Sequence, residues 1–117
     1  MEVTYRQKPL TPAQLKSLSN EVKQALIELY GDRLDRVILY GSYARGDFHN
    51  ESDIDYLVVL RDKEVKTGKE IFYMGDKIGG LSFDYDLFIS AKPTSLAKFQ
   101  TSDLLFYQNV RREGKQL

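Results

Sequence analysis

The chain has 117 residues and not one cysteine. That absence removes a disulfide framework, a thiolate metal site and a cysteine nucleophile. It also lacks an excess of charge, because 17 lysines and arginines balance 17 aspartates and glutamates. A net charge of zero supplies no general basic field, so a protein that grips a nucleic-acid template is not expected. No apolar run approaches membrane-spanning length, and the opening MEVTYRQKPL lacks the apolar core of a secretory leader. These absences point to a soluble, cytoplasmic protein of a reducing compartment. There is no internal repeat or low-complexity stretch, and the length suits a single domain over residues 1–117.

What is present reads as globular α/β, with 42% apolar and 29% charged residues. Thr11-Pro12-Ala13-Gln14 has the form of a capping box with proline at the first helical position. Behind it Leu15, Leu18, Val22, Ala25, Leu26 and Leu29 recur at helical spacing, and Gly31-Asp32 closes the run. Val37 to Tyr40 predicts a short strand stopping at Gly41, and a second strand is expected from about Asp53 to Leu60. The charged stretch RDKEVKTGKE reads as a solvated connection. Ile71, Met74 and Ile78 suit a short helix broken at Gly79-Gly80. The segment LSFDYDLFIS predicts a third strand, and helices are expected around Thr94 to Gln100 and Ser102 to Arg112. The order predicts a small mixed β-sheet flanked by helices.

The stretch GSYARGDFHNESDID, Gly41 to Asp55, sets two alternating carboxylates at the mouth of the apolar run YLVVL. An unpaired carboxylate entering a core is expensive, so something must bind these oxygens. Alternation along a strand puts Asp53 and Asp55 on one face, with Cα atoms about 6–7 Å apart. Such a pair can hold Mg²⁺, which takes one or two carboxylates and completes its shell with water and phosphates. The strand ending at Gly41, followed by Ser42 and a helix-compatible SYAR, offers backbone N–H groups to an anion. A cation site beside a phosphate site is what nucleoside triphosphate chemistry requires. Either motif alone is commonplace, Asp-x-Asp in loops and Gly-Ser in turns. Their combination across two predicted strands is not.

Gly41-Ser42, ten residues, then Asp53-Ile54-Asp55 resembles the signature of the DNA polymerase β-like nucleotidyltransferase superfamily. The fuller run GSYARGDFHNESDIDYLVVL is similar to its minimal stand-alone branch. The resemblance implies the palm-like nucleotidyltransferase fold and a third acidic residue on a neighbouring strand. Asp86, followed by Leu87-Phe88-Ile89, matches that position best, with Asp84 as the alternative. It further implies ATP or another NTP as substrate, two Mg²⁺ ions held by Asp53, Asp55 and Asp86, and nucleotide contacts from Gly41, Ser42 and Arg45. Arg45, one helical turn past Ser42, is open to two roles, a phosphate contact or a pair with an aspartate. Gly46 reads as a turn glycine, His49 as a solvated loop residue and Ser52 as a local cap. Nothing in the spacing of Lys77 assigns it to a triphosphate.

The minimal branch is known as the antitoxin half of toxin–antitoxin pairs, transferring AMP to a tyrosine of a HEPN-domain RNase toxin. The resemblance therefore implies an adenylyltransferase whose acceptor hydroxyl is presented by a HEPN-type partner, since no second domain for a template or small substrate is visible. Two other readings stay open at this point. One is a non-catalytic antitoxin acting by contact, the other an adenylyltransferase for a small hydroxylated molecule.

Overall fold

The computed structural model describes residues 9–49 and 53–117, so the cap expected at Ser52 lies outside the described residues. Helix α1 spans Pro12–Tyr30 and begins with the full capping box: Gln14 N–H donates to Thr11 Oγ1 at 3.1 Å and Thr11 N–H to Gln14 Oε1 at 2.9 Å. After a 3-10 turn at Gly31–Arg33 come β1 (Leu34–Tyr40), the single-turn α2 (Ser42–Arg45) and β2 (Ile54–Leu60). Helix α3 (Thr67–Tyr85) leads to β3 (Ile89–Ser95), α4 (Leu96–Thr101), α5 (Leu105–Glu113) and the two-residue β4 (Lys115–Gln116). The sheet order is β3-β2-β1-β4, with β2 and β3 parallel and the other two pairs antiparallel.

Central β2 is buried on both faces, which is why it reads as an unbroken apolar run. Ile54, Tyr56, Val58 and Leu60 pack with Val37 and Leu39 under α1 and α3. Leu57 and Val59 pack with Ile38 on the opposite face, under Phe99 of α4 and Val110 of α5. Alternation therefore sends Asp55 to the α4/α5 face. Edge strand β3 is blunted: Ile89 N–H donates to Ser82 Oγ at 3.2 Å, and Pro93 has no N–H to offer.

The segment LSFDYDLFIS is not one strand. Helix α3 continues through Gly79-Gly80 to Tyr85, and β3 starts only at Ile89. Glu70, Met74 and Ile78 are buried and Leu81 and Tyr85 half-buried, a spacing of four, four, three and four that keeps one helix face on the core. Gly79 and Gly80 are exposed, with open space where a Cβ would stand. Each costs about 1 kcal/mol against alanine in a helix, and burial of that face offsets it. The Tyr85 hydroxyl donates to Glu21 and bonds the Ser17 hydroxyl of α1, fastening the last turn. Lys77, on the same helix, lies 4.0 Å from Glu28 of α1, on the face of the sheet away from Asp55.

Glu70 is the buried charge of this layer. Its Oε2 accepts from Arg33 Nη2 at 2.8 Å and its Oε1 from Tyr30 Oη at 3.2 Å. Burial first, and Glu70 second, push the Tyr30 phenol well above its usual range. Arg33→Met should destabilise the chain by about 3 kcal/mol, because it strands a buried carboxylate. Urea unfolding measures this, and a change within the noise of a surface substitution would show that water reaches Glu70 freely.

Candidate active site

Two turns bring the sequence motifs together. β1 ends at Tyr40, and Gly41 turns the chain with φ 75° and ψ −156°, a conformation open to glycine. The register sets Tyr40 opposite Asp55, so Gly41 sits directly beside the Asp55 side chain. A Cβ built on Gly41 would fall within contact of Asp55 Oδ2 and 3.3 Å from its Cγ. From its sequence, Gly41 is expected to admit phosphate to the backbone. The structure adds a steric reason, that the carboxylate occupies the space a side chain would need. Gly41→Val should therefore displace Asp55 as well as strain the turn. We expect analogue binding, followed by calorimetry with non-hydrolysable ATP and Mg²⁺, to fall at least about tenfold, with a stability loss of about 1–3 kcal/mol from the strained backbone. Unchanged affinity would show that Gly41 plays no part in nucleotide binding.

Asp55 is half-buried and Asp53 exposed. Burial raises the Asp55 carboxyl above its ordinary range, the charge of Asp53 raises it further, and Arg45 lowers it. Like-charge repulsion is thus built into the pair. Past Gly41, the N–H groups of Ala44 and Arg45 return to Gly41 O, both at 3.1 Å. Ser42 stands at the first position of α2, where backbone N–H groups have no carbonyl one turn behind. Gly46, at φ 83°, ends α2 in the left-handed region, as a turn glycine should. Arg45 is exposed, with Nε 3.1 Å from Asp47 and Nη1 3.6 Å from Glu113. His49 is exposed in the following loop.

Several residues here carry no sequence signal. A cavity of about 210 Å³ beside Gly41 is lined by Tyr40, Arg45, Phe106, Asn109, Val110 and Glu113. Phe106 meets Tyr40 edge-on at 5.3 Å between ring centres. The Tyr40 phenol is pushed up to about 12, by burial first and by Asp55 next. Four of these six residues come from α5, more than sixty residues away in sequence, which no local motif could announce.

Asp84 and Asp86 do not alternate along a strand. Asp84 lies in the last turn of α3 and lines a groove against α1 with Glu21, Glu28 and Asp76. Asp86 follows the helix at φ 52° and ψ 49°, and among the described residues it alone is a non-glycine with positive φ. Asp86 N–H donates to Phe83 O at 3.2 Å and Leu87 N–H to Ser82 O at 3.1 Å, a Schellman closure with aspartate in the glycine position. Because β2 and β3 run parallel in register, Asp86 lies at the same end of the sheet as Asp53. Among the described residues no three acidic or histidine side chains gather closely enough to hold one ion.

The sequence model of the family described as nucleotidyltransferase domain matches residues 19–113. The chain belongs to that family. Two Methanocaldococcus jannaschii proteins named as candidate protein adenylyltransferases are similar to this nucleotidyltransferase. One is 36% identical over 98 residues, covering 83% of this chain and 91% of that protein. The other is 44% identical over 70 residues, covering 60% and 69%. Among solved structures, a toxin–antitoxin complex with AMP-PNP has a chain matching at TM-score 0.60 and 23% identity, over 83% of this chain and 69% of that one. A complex of tri-AMPylated Shewanella oneidensis HEPN toxin with its MNT antitoxin matches at TM-score 0.55 and 20% identity, over 86% and 69%. These structural likenesses establish the fold expected from the sequence, a mixed sheet flanked by helices. No helix among the described residues is long and apolar enough to cross a membrane.

Proposed function

We propose that this nucleotidyltransferase transfers AMP from ATP to a hydroxyl on a partner protein of the HEPN toxin class, as the antitoxin of such a pair. The observation that supports the transfer chemistry is the Asp55 carboxylate held against Gly41, a group able to hold a cation beside a turn able to receive phosphate. The names of the two archaeal relatives support protein as acceptor. The structural neighbours, one with AMP-PNP and one with an AMPylated HEPN toxin, support ATP and that class of partner.

Asp53 and Asp55 fit a hard divalent ion of the Mg²⁺ class. Both offer oxygen, and Asp55 is raised by burial and by its neighbour, so a cation relieves what the bare pair suffers. Bound there with the nucleotide, the ion would neutralise charge developing at the α-phosphate. The chain's own residues do the rest. Ser42 and the first turn of α2 hold the β- and γ-phosphates, and Arg45 adds a cation from the same turn. Asp86, at the same end of the sheet, accepts the proton of the attacking hydroxyl. The acceptor oxygen bonds to the α-phosphorus, the bond to the bridging oxygen breaks, and pyrophosphate departs with that electron pair. A second ion shared with Asp86 requires its carboxylate to close on Asp53 and Asp55 when substrates bind.

The test mixes the purified chain with ATP, Mg²⁺ and a HEPN-domain protein from the same organism, followed by intact mass and pyrophosphate release. The expected result is a gain of one or more AMP groups on the partner with matching pyrophosphate. Tight binding of the partner without either would replace transfer by inhibition through contact.

A further inference from the structure

A second cavity, of about 400 Å³, opens on the same sheet face as Asp55 but further along β3, its lining running from Lys92 and Thr94 to Ser95 and Lys98, and to Lys63 past the end of β2. Ser90 of β3 is in register with Asp55, and Lys92 is the next residue of β3 on that face. Lys92 Nζ sits 4.1 Å from the centre of the Phe106 ring, the same ring that lines the cavity beside Gly41. The two cavities therefore meet at Phe106. Lys63 and Lys98 complete a lining of three lysines against one carboxylate, Glu64, in a chain of zero net charge. Among the described residues none of the three ammonium groups has a carboxylate within 4.0 Å. The floor carries Thr94 and Tyr107, whose hydroxyls bond to each other at 2.7 Å.

The sheet order gives this cavity a direction. The turn proposed for phosphate follows β1, Asp55 stands on β2 with Asp53 just ahead of it, and β3 lies beyond them. Attacking and leaving oxygens stand roughly in line at a transferring phosphorus. A leaving pyrophosphate on the β1 side therefore requires the acceptor to arrive across β3. We propose that the basic cavity seats the acceptor segment and selects one with acidic side chains several residues along the chain from the reacting hydroxyl. This rests on the transfer reading above and adds the chemistry of its acceptor. Lysines on an edge strand also deter strand pairing, but that role explains Lys92 alone, not Lys63 or Lys98, which lie off the strand.

The probe is a fluorescein-labelled peptide with a central tyrosine and glutamates several residues to either side, set against matched peptides with glutamine or lysine in those positions. Fluorescence anisotropy with the full chain needs no turnover, so it tests the cavity apart from the chemistry. We expect the glutamate peptide to bind at least about tenfold tighter than the glutamine one, with the advantage shrinking as salt rises. The Lys63→Gln/Lys92→Gln/Lys98→Gln variant should lose that advantage while keeping its affinity for AMP-PNP with Mg²⁺. Restoring the charge as arginine at all three positions should recover it. Equal binding of the three peptides, preference for lysine, or an unaffected triple variant would each overturn the proposal. Absence of AMP-PNP binding by the unaltered chain would instead overturn the transfer reading, leaving the peptide comparison to decide the cavity's chemistry on its own.

Discussion

Asp53→Asn or Asp55→Asn should abolish AMP transfer while leaving the fold intact. Asparagine keeps the shape of each side chain but removes the charge a divalent cation requires. Losing charge stabilisation at the transferring phosphorus costs several kcal/mol, and about 4 kcal/mol corresponds to roughly three orders of magnitude in turnover. The two variants should differ in a second respect. Asp55 stands against Gly41 and half-buried, whereas Asp53 is exposed at the strand entry, so only Asp55→Asn removes a desolvated charge. In the absence of metal Asp55→Asn should raise the melting temperature by a few degrees, roughly what 1 kcal/mol gives in a domain of this size. Differential scanning fluorimetry in chelator checks it. Full transfer by either variant would sink the assignment of the cation site.

The same residue sets a pH dependence. The Asp55 carboxyl is raised in the folded chain, by burial and then by Asp53, so the folded state keeps this proton to higher pH than the unfolded one. Its contribution to stability is full below the unfolded value of about 3.9 and is lost as pH rises through the folded value. Metal-free protein should therefore lose this contribution on going from acid toward neutral pH, and Asp55→Asn should flatten that part of the profile. Mg²⁺ with an ATP analogue should restore stability at neutral pH by binding the ionised form. An identical profile in the variant would place the pH dependence on other carboxylates.

The site was legible where its chemistry is local. Gly41, Ser42, Asp53 and Asp55 lie within fifteen residues, and a strand–turn–strand reading sufficed to set them together. The capping box at Thr11 and Gln14 was equally plain, because its two hydrogen bonds span three residues. The failure came at LSFDYDLFIS, whose aromatic and aliphatic content suits a strand and which follows a pair of glycines. Burial of Glu70, Met74 and Ile78 against α1 and the sheet overrides both signals and carries the helix seven residues past Ile78. A residue's preference is weak beside the face it completes. Phe106 and Glu113 were invisible for another reason. They are joined to the site by the fold of α5 across the sheet, and composition carries no record of that.

That error changes the argument for the third carboxylate, and a pair of variants resolves it. Asp86→Asn should cut turnover by about 10²–10⁴, the usual contribution of a general base. ATP binding should survive, because Asp53 and Asp55 still hold the nucleotide-bound cation. Asparagine is the right substitution here for a backbone reason as well. Asp86 occupies the left-handed region at φ 52°, which asparagine tolerates better than most residues, so the Schellman closure on Ser82 and Phe83 should persist. Asp84→Asn should be mild. Its side chain belongs to the α1 groove on the other face of the sheet, among Glu21, Glu28 and Asp76, where losing one negative charge relieves its neighbours. Turnover of both variants, measured with the true acceptor beside calorimetry of the ATP analogue, separates the roles. A crippled Asp84→Asn beside an active Asp86→Asn would reverse the assignment and require the end of α3 to unwind in the working enzyme. Two mild variants would remove the third carboxylate from this segment and leave the proton to another group near Asp55.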